Sequence, residues 1–208
     1  MEQLSEEWFA ARRGKVTASR LSDVIAMTKN GWGAGRANYM AELITEILTG
    51  TTFERHQTEA MGWGVEKEPD ARNAYMFFRD VEVLPAEFVL HPRIAESGAS
   101  PDGLIGDDGL LEIKCPQTST HIETLINGTA SSRYITQMQW QMACTDRKWC
   151  DFVSFDPRLP ASMQLFVRRF ERKQAEIDQL EKDVTQFLKE MHTKIQTLQS
   201  KYGTAKAA

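Results

Sequence analysis

Apolar residues that recur in steps of three and four along this chain predict helices. The predicted helices cover 5–13, a short segment from Thr17 or Ser19 to Ile25, 39–48, 57–78, 118–126, 131–144 and about 171–200. Ser5 is expected to cap the first helix, and Gly50 to end the third. Pro69 is expected to interrupt or bend the fourth helix, because proline lacks the N–H that a helix interior needs.

Strands are predicted where apolar and polar residues alternate. They lie near 81–83 and 88–90, on both sides of a turn at 106–109 within 95–115, and near 149–155 and 163–170. The glycine-rich segment 29–36 is expected to be a loop. The order of helices, strands, helices, strands and helix predicts one α/β domain over 1–208, with a central mixed β-sheet flanked by helices.

The long C-terminal helix has one apolar face. Its apolar positions are Ile177, Leu180, Val184, Phe187, Met191, Ile195 and Leu198. Such a face most simply packs along the helix's own domain. A subunit contact or a stripe that binds a partner would produce the same pattern.

Composition excludes several classes of protein. No apolar run approaches the roughly 20 residues that span a bilayer, and the N-terminal region has acids where a signal peptide would be basic. We therefore expect a cytoplasmic protein with no membrane association. Three cysteines, Cys115, Cys144 and Cys150, are too few for an iron–sulfur cluster and are expected to be reduced structural thiols.

The charge of the chain complicates any role in nucleic-acid binding. The formal net charge is −4, whereas nucleic-acid-binding domains are commonly basic. A binding surface needs local positive charge, however, and carboxylates that hold metal ions add to the negative total. Two basic clusters could supply it: Arg12, Arg13, Lys15 and Arg20, and Arg168, Arg169, Arg172 and Lys173.

Candidate chemistry lies in the stretch from Ser100 to Cys115. Side chains alternate faces along a strand, so Glu112 and Lys114 share one face and the apolar residues between them share the other. If the turn at 106–109 reverses the chain, Asp102 comes close to Glu112. Two carboxylates and one ammonium would then meet on a surface backed by apolar residues.

That set of groups suits phosphodiester hydrolysis. Mg²⁺ prefers oxygen ligands and typically uses one or two carboxylates together with water and phosphate. A metal ion acidifies bound water and stabilises a leaving oxyanion. Lys114 could orient or deprotonate the attacking water, or stabilise charge on the phosphate; the sequence leaves both roles open. Taken alone, the same three residues would more often be solvated turn acids and a surface Glu/Lys pair.

The surrounding motifs strengthen the hydrolytic interpretation. Blocks of characteristic residues occur in a fixed order: Trp8, Arg12-Arg13-Gly14-Lys15-Val16-Thr17-Ala18-Ser19, Gly62-Trp63-Gly64, Glu68 with Asp70-Ala71-Arg72, Ser100-Pro101-Asp102-Gly103, Leu111-Glu112-Ile113-Lys114-Cys115-Pro116, Tyr134-Ile135-Thr136-Gln137-Met138-Gln139 and Asp156-Pro157-Arg158. In these blocks the chain resembles the bacteriophage lambda exonuclease family, the YqaJ-type viral recombinases, within the PD-(D/E)xK nuclease superfamily. Segment 29–36 departs from the family pattern.

The resemblance implies roles for particular residues. Asp102, Glu112, the Ile113 carbonyl and Glu68 would bind metal, and Lys114 and Gln137 would complete the catalytic set. The implied cofactor is Mg²⁺, with two ions expected and Mn²⁺ as a substitute. The residues expected to bind the 5′-phosphate or DNA are Arg12, Thr17, Ser19 and Tyr134.

The resemblance also implies an activity and partners. Members of the family digest one strand of duplex DNA processively from 5′ to 3′, leaving 3′ overhangs for recombination by strand annealing. The implied partners are DNA with a 5′-phosphate end, two further copies in a ring-shaped homotrimer and a single-strand annealing protein, in a bacterial host cell. Two alternatives are an endonuclease of restriction or repair type on the same fold, and a non-catalytic DNA-binding scaffold.

Overall fold

A computed structural model describes residues 3, 5–53 and 58–203 of the chain. The helices are α1 Glu6–Arg12, α2 Leu21–Val24, α3 Ala34–Thr49, α4 Glu59–Arg79, α5 Thr118–Asn127, α6 Ser132–Thr145 and α7 Gln174–Tyr202. The strands are β1 Val16–Thr17, β2 Met27–Thr28, β3 Gly31–Trp32, β4 Val89–Leu90, β5 Ser97–Ala99, β6 Gly103–Ile105, β7 Gly109–Lys114, β8 Trp149–Phe155 and β9 Leu165–Glu171. The predicted start of the fourth helix at 57 lies outside the described residues.

The central sheet is mixed, as predicted. Its four strands run in the order β6-β7-β8-β9; β7 and β8 are parallel, and the two outer pairings are antiparallel. A smaller sheet has the order β1-β5-β4, and β2 and β3 form a separate hairpin. The parallel pair requires a crossover connection, which α5 and α6 supply. The α/β class and single-domain architecture are therefore confirmed.

Helices cover both faces of the central sheet. Leu111, Ile113 and other residues of one face pack with Ala71 and Tyr75 of α4. Leu110 on the opposite face packs with α6 residues that include Met138 and Met142. Because side chains alternate along β7, Glu112 shares the α6 face with Leu110 and becomes fully buried.

The C-terminal helix packs along its own domain. Seven of its apolar side chains are buried: Ile177, Leu180, Val184, Phe187, Leu188, Met191 and Ile195. Most of this face contacts residues of α2, α3 and α6 in one core cluster. Leu198, by contrast, is exposed near the end of the helix. The simplest of the three interpretations of this apolar face therefore accounts for all but its last position.

Four local predictions were wrong or incomplete. Segment 29–36 is not simply a loop, since it holds β3 and the beginning of α3; strands of two residues are too short to show alternation. The second helix begins at neither Thr17 nor Ser19, because Ala18–Arg20 form a 3₁₀ turn and α2 starts at Leu21. The expected strand at 81–83 is reduced to one bridge, Leu84 to Leu104. Pro69 does not interrupt α4, which continues from Glu59 to Arg79, since the proline removes only one hydrogen-bond donor from a long helix.

A buried carboxylate links β8 to α4 and β9. Asp151 is fully buried, and its oxygens accept hydrogen bonds from the Tyr75 hydroxyl at 2.8 Å and from Arg169 at 2.8 and 3.0 Å. Burial and the neighbouring Asp151 raise the pKa of the Tyr75 hydroxyl. Such partners are what a charged group needs to remain inside a protein.

A second buried carboxylate follows the end of β8. Burial alone would raise the pKa of Asp156, but hydrogen bonds from Arg158 outweigh it and lower the pKa to about 2. The Arg158 guanidinium also lies 4.3 Å from the centre of the Trp63 ring. These residues of two sequence blocks therefore support the fold where the chain leaves the central sheet.

All three cysteines are buried and free, as expected of structural thiols. Among the described residues, no helix is both long and apolar enough to cross a bilayer.

Candidate active site

The hairpin of β6 and β7 brings the predicted acids together. Gly103 pairs with Leu111, and the Asp102 amide donates a hydrogen bond to the Leu111 carbonyl at 3.1 Å. Asp102 therefore lies opposite Glu112 at the end of the pairing. Its carboxylate Oδ2 in turn accepts a hydrogen bond from the Ile113 amide at 2.7 Å. Gly106, with φ of 50°, allows the tight turn between the two strands.

The Glu112 carboxylate is enclosed by donors. Gln137 Nε2 donates to Oε1 at 2.7 Å, and Gln141 Nε2 donates to Oε2 at 2.6 Å. The Lys114 ammonium also contacts Oε1. The structure thus places Asp102, Glu112, Lys114 and Gln137 in one group, as the sequence predicts, and adds Gln141.

The electrostatics of this group reflect crowded carboxylates. Burial and the adjacent Glu112 raise the pKa of Asp102 well above its ordinary value, against the opposing effect of Lys114. Burial would lower the pKa of Lys114, but the attraction of Glu112 and Asp102 outweighs it and the net shift is upward. Mutual repulsion between acids is typical of a site that concentrates negative charge to bind a cation.

Glu68 is linked to this group by Arg72. Arg72 lies one helical turn beyond Glu68 on α4 and donates to Glu68 Oε1 at 2.7 Å. The same guanidinium donates to the Asp102 carbonyl. The negative charge of Glu68 also contributes to the raised pKa of Asp102. The structure therefore places Glu68 beside the predicted acids and ties its position to Arg72.

A cavity of about 180 Å³ opens beside these groups. It is lined by Gln3, Trp8, Arg12, Ala18, Ser19, Ser100, Asp102, Lys114 and Gln137. Two of the four residues predicted to bind phosphate or DNA, Arg12 and Ser19, therefore share a cavity with Asp102 and Lys114. The Arg12 guanidinium lies 3.9 Å from the centre of the Trp8 ring, which fixes its orientation.

Ser100 is a further candidate that the sequence does not single out for binding. Its Oγ accepts hydrogen bonds from Trp8 Nε1 at 3.0 Å and from Arg12 Nη1 at 3.1 Å. A hydroxyl has two acceptor lone pairs and one proton to donate. Because both lone pairs are engaged, the proton is left for another acceptor, such as an anion in the cavity. The signal in the sequence was its position two residues before Asp102.

The other two predicted DNA-binding residues, Thr17 and Tyr134, do not line this cavity. Tyr134 is not among the residues that line the cavity; its ring stacks on Phe152 at 5.7 Å and lies 5.4 Å from Lys114 Nζ. Thr17 lines a larger adjoining groove, and its Oγ1 lies 3.4 Å from Ser19 Oγ. Thr17 is thus close to the predicted anion site, whereas Tyr134 belongs to the packing around Lys114.

The adjoining groove has a volume of about 1090 Å³ and shares residues with the cavity. Trp8, Arg12 and Ser19 line both spaces. Arg13 and Lys15 add positive charge to the groove, whereas Glu6, Glu42 and Glu46 add negative charge. The cavity therefore adjoins a wider groove of mixed charge along the N-terminal segment.

The residues present suit a hard cation that keeps part of its water shell. Within the described part of the chain, no cluster of three or more His, Cys, Asp or Glu side chains could hold a metal by itself. Mg²⁺ commonly binds through one or two carboxylates and completes its octahedron with water and phosphate oxygens. Asp102, Glu112 and the Ile113 carbonyl offer oxygen ligands of that kind, with Glu68 nearby.

Comparison with known proteins gives a consistent result. Residues 7–148 match the model of the YqaJ-like viral recombinase domain. The chain is 54% identical to an alkaline exonuclease, LHK-Exo, from Laribacter hongkongensis, with a TM-score of 0.88 over 95% of this chain and 97% of that one. A structure of LHK-Exo in complex with dAMP gives 53% identity and a TM-score of 0.89 over the same shares.

A more distant structure shares only the fold with this chain. A phage-related exonuclease from Haemophilus somnus 129PT is 16% identical, with a TM-score of 0.73 over 88% of this chain and 96% of that one. No curated protein matches the sequence. The family model covers well over half of the residues, including every predicted catalytic position, and the chain therefore belongs to the YqaJ-like viral recombinase family.

Proposed function

We propose that this protein is a Mg²⁺-dependent exonuclease that digests double-stranded DNA from 5′ to 3′ and leaves 3′ overhangs. The observation that carries the proposal is one cavity that joins two kinds of group. Asp102 and Lys114 line it together with Arg12, Ser19 and Ser100. A cation-and-hydroxyl pocket beside hydrolytic groups suits a terminal phosphate, which an endonuclease acting within a strand does not meet.

The relatives support the substrate class. LHK-Exo is an alkaline exonuclease, and it has been crystallised with dAMP. A deoxynucleoside monophosphate is the kind of product that stepwise digestion of DNA releases. At 54% identity across nearly the whole chain, a shared reaction is the simplest expectation for this protein.

The acidic residues of the site would bind the metal ion, and Lys114 would stabilise charge on the phosphate. Asp102, Glu112 and the Ile113 carbonyl would hold Mg²⁺, with Glu68 as a further acid, and Mn²⁺ is expected to substitute. The metal would supply an acidified water and stabilise the leaving oxygen. Lys114, already paired with a buried carboxylate, would offset negative charge on the scissile phosphate.

The 5′-phosphate would be bound by a separate set of donors. The Arg12 guanidinium presents a planar fork of N–H groups that suits phosphate oxygens. Ser19 and Ser100 would add hydroxyl donors, and Thr17 lies close to Ser19. Holding the new end after each step would position the next phosphodiester bond at Asp102 and Lys114.

Processivity and partners extend the same proposal. A ring-shaped homotrimer around DNA would make digestion processive, since dissociation would no longer compete with each step. The 3′-ended strand would pass to a single-strand annealing protein in the cytoplasm of a bacterial host. The trimer predicts a mass in sedimentation three times that of the chain, and a challenge with excess unlabelled DNA after the reaction starts would leave processive digestion unaffected.

The central test compares linear and circular DNA. With Mg²⁺, the protein should release labelled mononucleotide at once from a 5′-labelled linear duplex and only late from a 3′-labelled one, and it should leave a covalently closed circle intact. Efficient cutting of the circle would favour the endonuclease, and no release under any metal condition would favour the non-catalytic scaffold.

Two variants test the site itself. Asp102→Asn and Lys114→Met should abolish digestion while the protein remains folded. Asp107→Asn is the matched control, because Asp107 lies exposed in the turn of the same hairpin and should retain full activity. Digestion by Asp102→Asn at the wild-type rate would refute the assignment of the catalytic acids.

A further inference from the structure

Glu112 is held from two directions by amides that lie on successive turns of α6. Gln137 and Gln141 are four residues apart, so both side chains emerge from one face of the helix. Each donates its Nε2 to a different oxygen of Glu112, at 2.7 and 2.6 Å. With both oxygens engaged, the plane of the carboxylate is fixed about its terminal torsion.

The side chain of Gln141 lies beside Glu112 although its burial destabilises the folded protein. The residue is fully buried, and its Oε1 has no hydrogen-bond partner among the residues that the structure describes. A buried acceptor without a donor is destabilising, and such groups are rare in native proteins. Rotating the amide would turn Oε1 towards the Glu112 carboxylate and lose the hydrogen bond that Nε2 donates to Glu112 Oε2. Packing alone does not explain a glutamine at this position, since methionine would fill similar space without a polar group.

We propose that Gln141 is a positioning residue that orients the Glu112 carboxylate for its metal ion. This inference rests on the proposed function. Lys114 and Gln137 also reach the cavity, where substrate can move them, whereas Gln141 does not line it. Gln141 is therefore the donor that stays with Glu112 while its other contacts change. Groups that hold a metal ligand in this way commonly alter metal affinity or activity by about 10- to 100-fold when removed.

Gln139 provides a matched control on the same helix. It is also buried, but its amide points away from the site. Its Nε2 donates to the Glu171 carbonyl and its Oε1 accepts from the Lys173 amide, both at 2.9 Å. Gln139→Met therefore removes two satisfied hydrogen bonds, whereas Gln141→Met removes one hydrogen bond and one unpartnered acceptor.

The test measures Mg²⁺ binding without DNA, by the rise in Tm on titration with MgCl₂. Gln141→Met should need about 10-fold or more Mg²⁺ for the wild-type rise in Tm, in line with the usual effect of such groups. Its digestion rate should fall at low Mg²⁺ and recover at high Mg²⁺. Gln139→Met should lower Tm in the absence of metal more than Gln141→Met does, and should leave the Mg²⁺ requirement unchanged.

Gln141→Asn provides a second variant that keeps the amide but is too short to reach Glu112. It should show the same increase in Mg²⁺ requirement as Gln141→Met. If either variant is folded and binds Mg²⁺ with wild-type affinity, the positioning role is refuted. Failure of the proposed function would look different, because the wild-type protein itself would then neither bind Mg²⁺ nor release nucleotides.

Discussion

Arg12 lies where the proposed 5′-phosphate pocket meets the catalytic groups, so its removal should change which DNA ends the protein prefers. Its guanidinium is fixed by stacking on Trp8 at 3.9 Å and by donation to Ser100 at 3.1 Å. The arginine is thus held in place before DNA arrives. Arg12→Ala removes its charge and its fork of donors, and it leaves the Ser100 hydroxyl with one donor fewer.

The size of the effect follows from the type of contact. A hydrogen bond to a charged group contributes about 1.5–3 kcal/mol, which corresponds to roughly 10- to 150-fold in an equilibrium or rate ratio. A wild-type preference for 5′-phosphorylated over 5′-hydroxyl ends should therefore fall by that factor in Arg12→Ala. Arg12→Lys should recover part of it, because lysine restores the charge but not the planar fork.

The assay measures initial rates on two duplexes that differ only in the 5′ end. The rate on hydroxyl ends should change little in Arg12→Ala, since the metal-binding acids remain intact. The ratio of the two rates separates loss of the pocket from general damage to the protein. An unchanged ratio in a folded variant would show that Arg12 does not contact the terminal phosphate.

Four further changes test the framework around the site. Gly103→Ala should destabilise the protein by about 1–3 kcal/mol and reduce digestion, because its Cβ would overlap a neighbouring valine beside the catalytic hairpin. Gly62→Ala, with open space on α4, should raise Tm through helix propensity. Tyr75→Phe should cost about 1–3 kcal/mol in the free energy of unfolding, since the buried Asp151 loses a donor, without changing the Mg²⁺ requirement. Because the pKa of Asp156 is lowered to about 2, its charged form stabilises the folded protein fully above about pH 4, and this stabilisation is lost as pH falls through about 2. Asp156→Asn should remove that part of the pH dependence of the free energy of unfolding, measured by denaturation at several pH values.

The sequence predicts the central sheet well because burial on two sides leaves a strong signal. Strands β7 and β8 are buried along almost their whole length and set apolar residues such as Leu110, Leu111 and Phe152 between their polar ones, and their predicted positions match the structure. The hairpin that joins Asp102 to Glu112 could be predicted for the same reason, since Gly106 and Gly109 bracket its turn. The alternation of side chains along β7 then predicts that Glu112 and Lys114 share one face, next to Asp102.

Features that depend on contacts distant in sequence could not be predicted. The link between Trp8, Arg12 and Ser100 joins residues about 90 positions apart, and no local pattern indicates it. Gln141 lies within a helical pattern that does not reveal which face meets Glu112. Tyr134 does not line the cavity that holds Arg12 and Ser19, and its nearness in sequence to Gln137 carries no information about the direction of its ring.

The negative charge of the chain becomes less of an obstacle once the two basic clusters are compared. In the C-terminal cluster, Arg169 pairs with the buried Asp151, and Arg172 donates to the Met142 carbonyl. Those charges serve the fold. In the N-terminal cluster, Arg12, Arg13 and Lys15 all line the groove that leads to the catalytic cavity. A chain with a net charge of −4 can therefore present its cations where a phosphate backbone would enter, because a large share of its other charges neutralise one another inside the protein or at its surface.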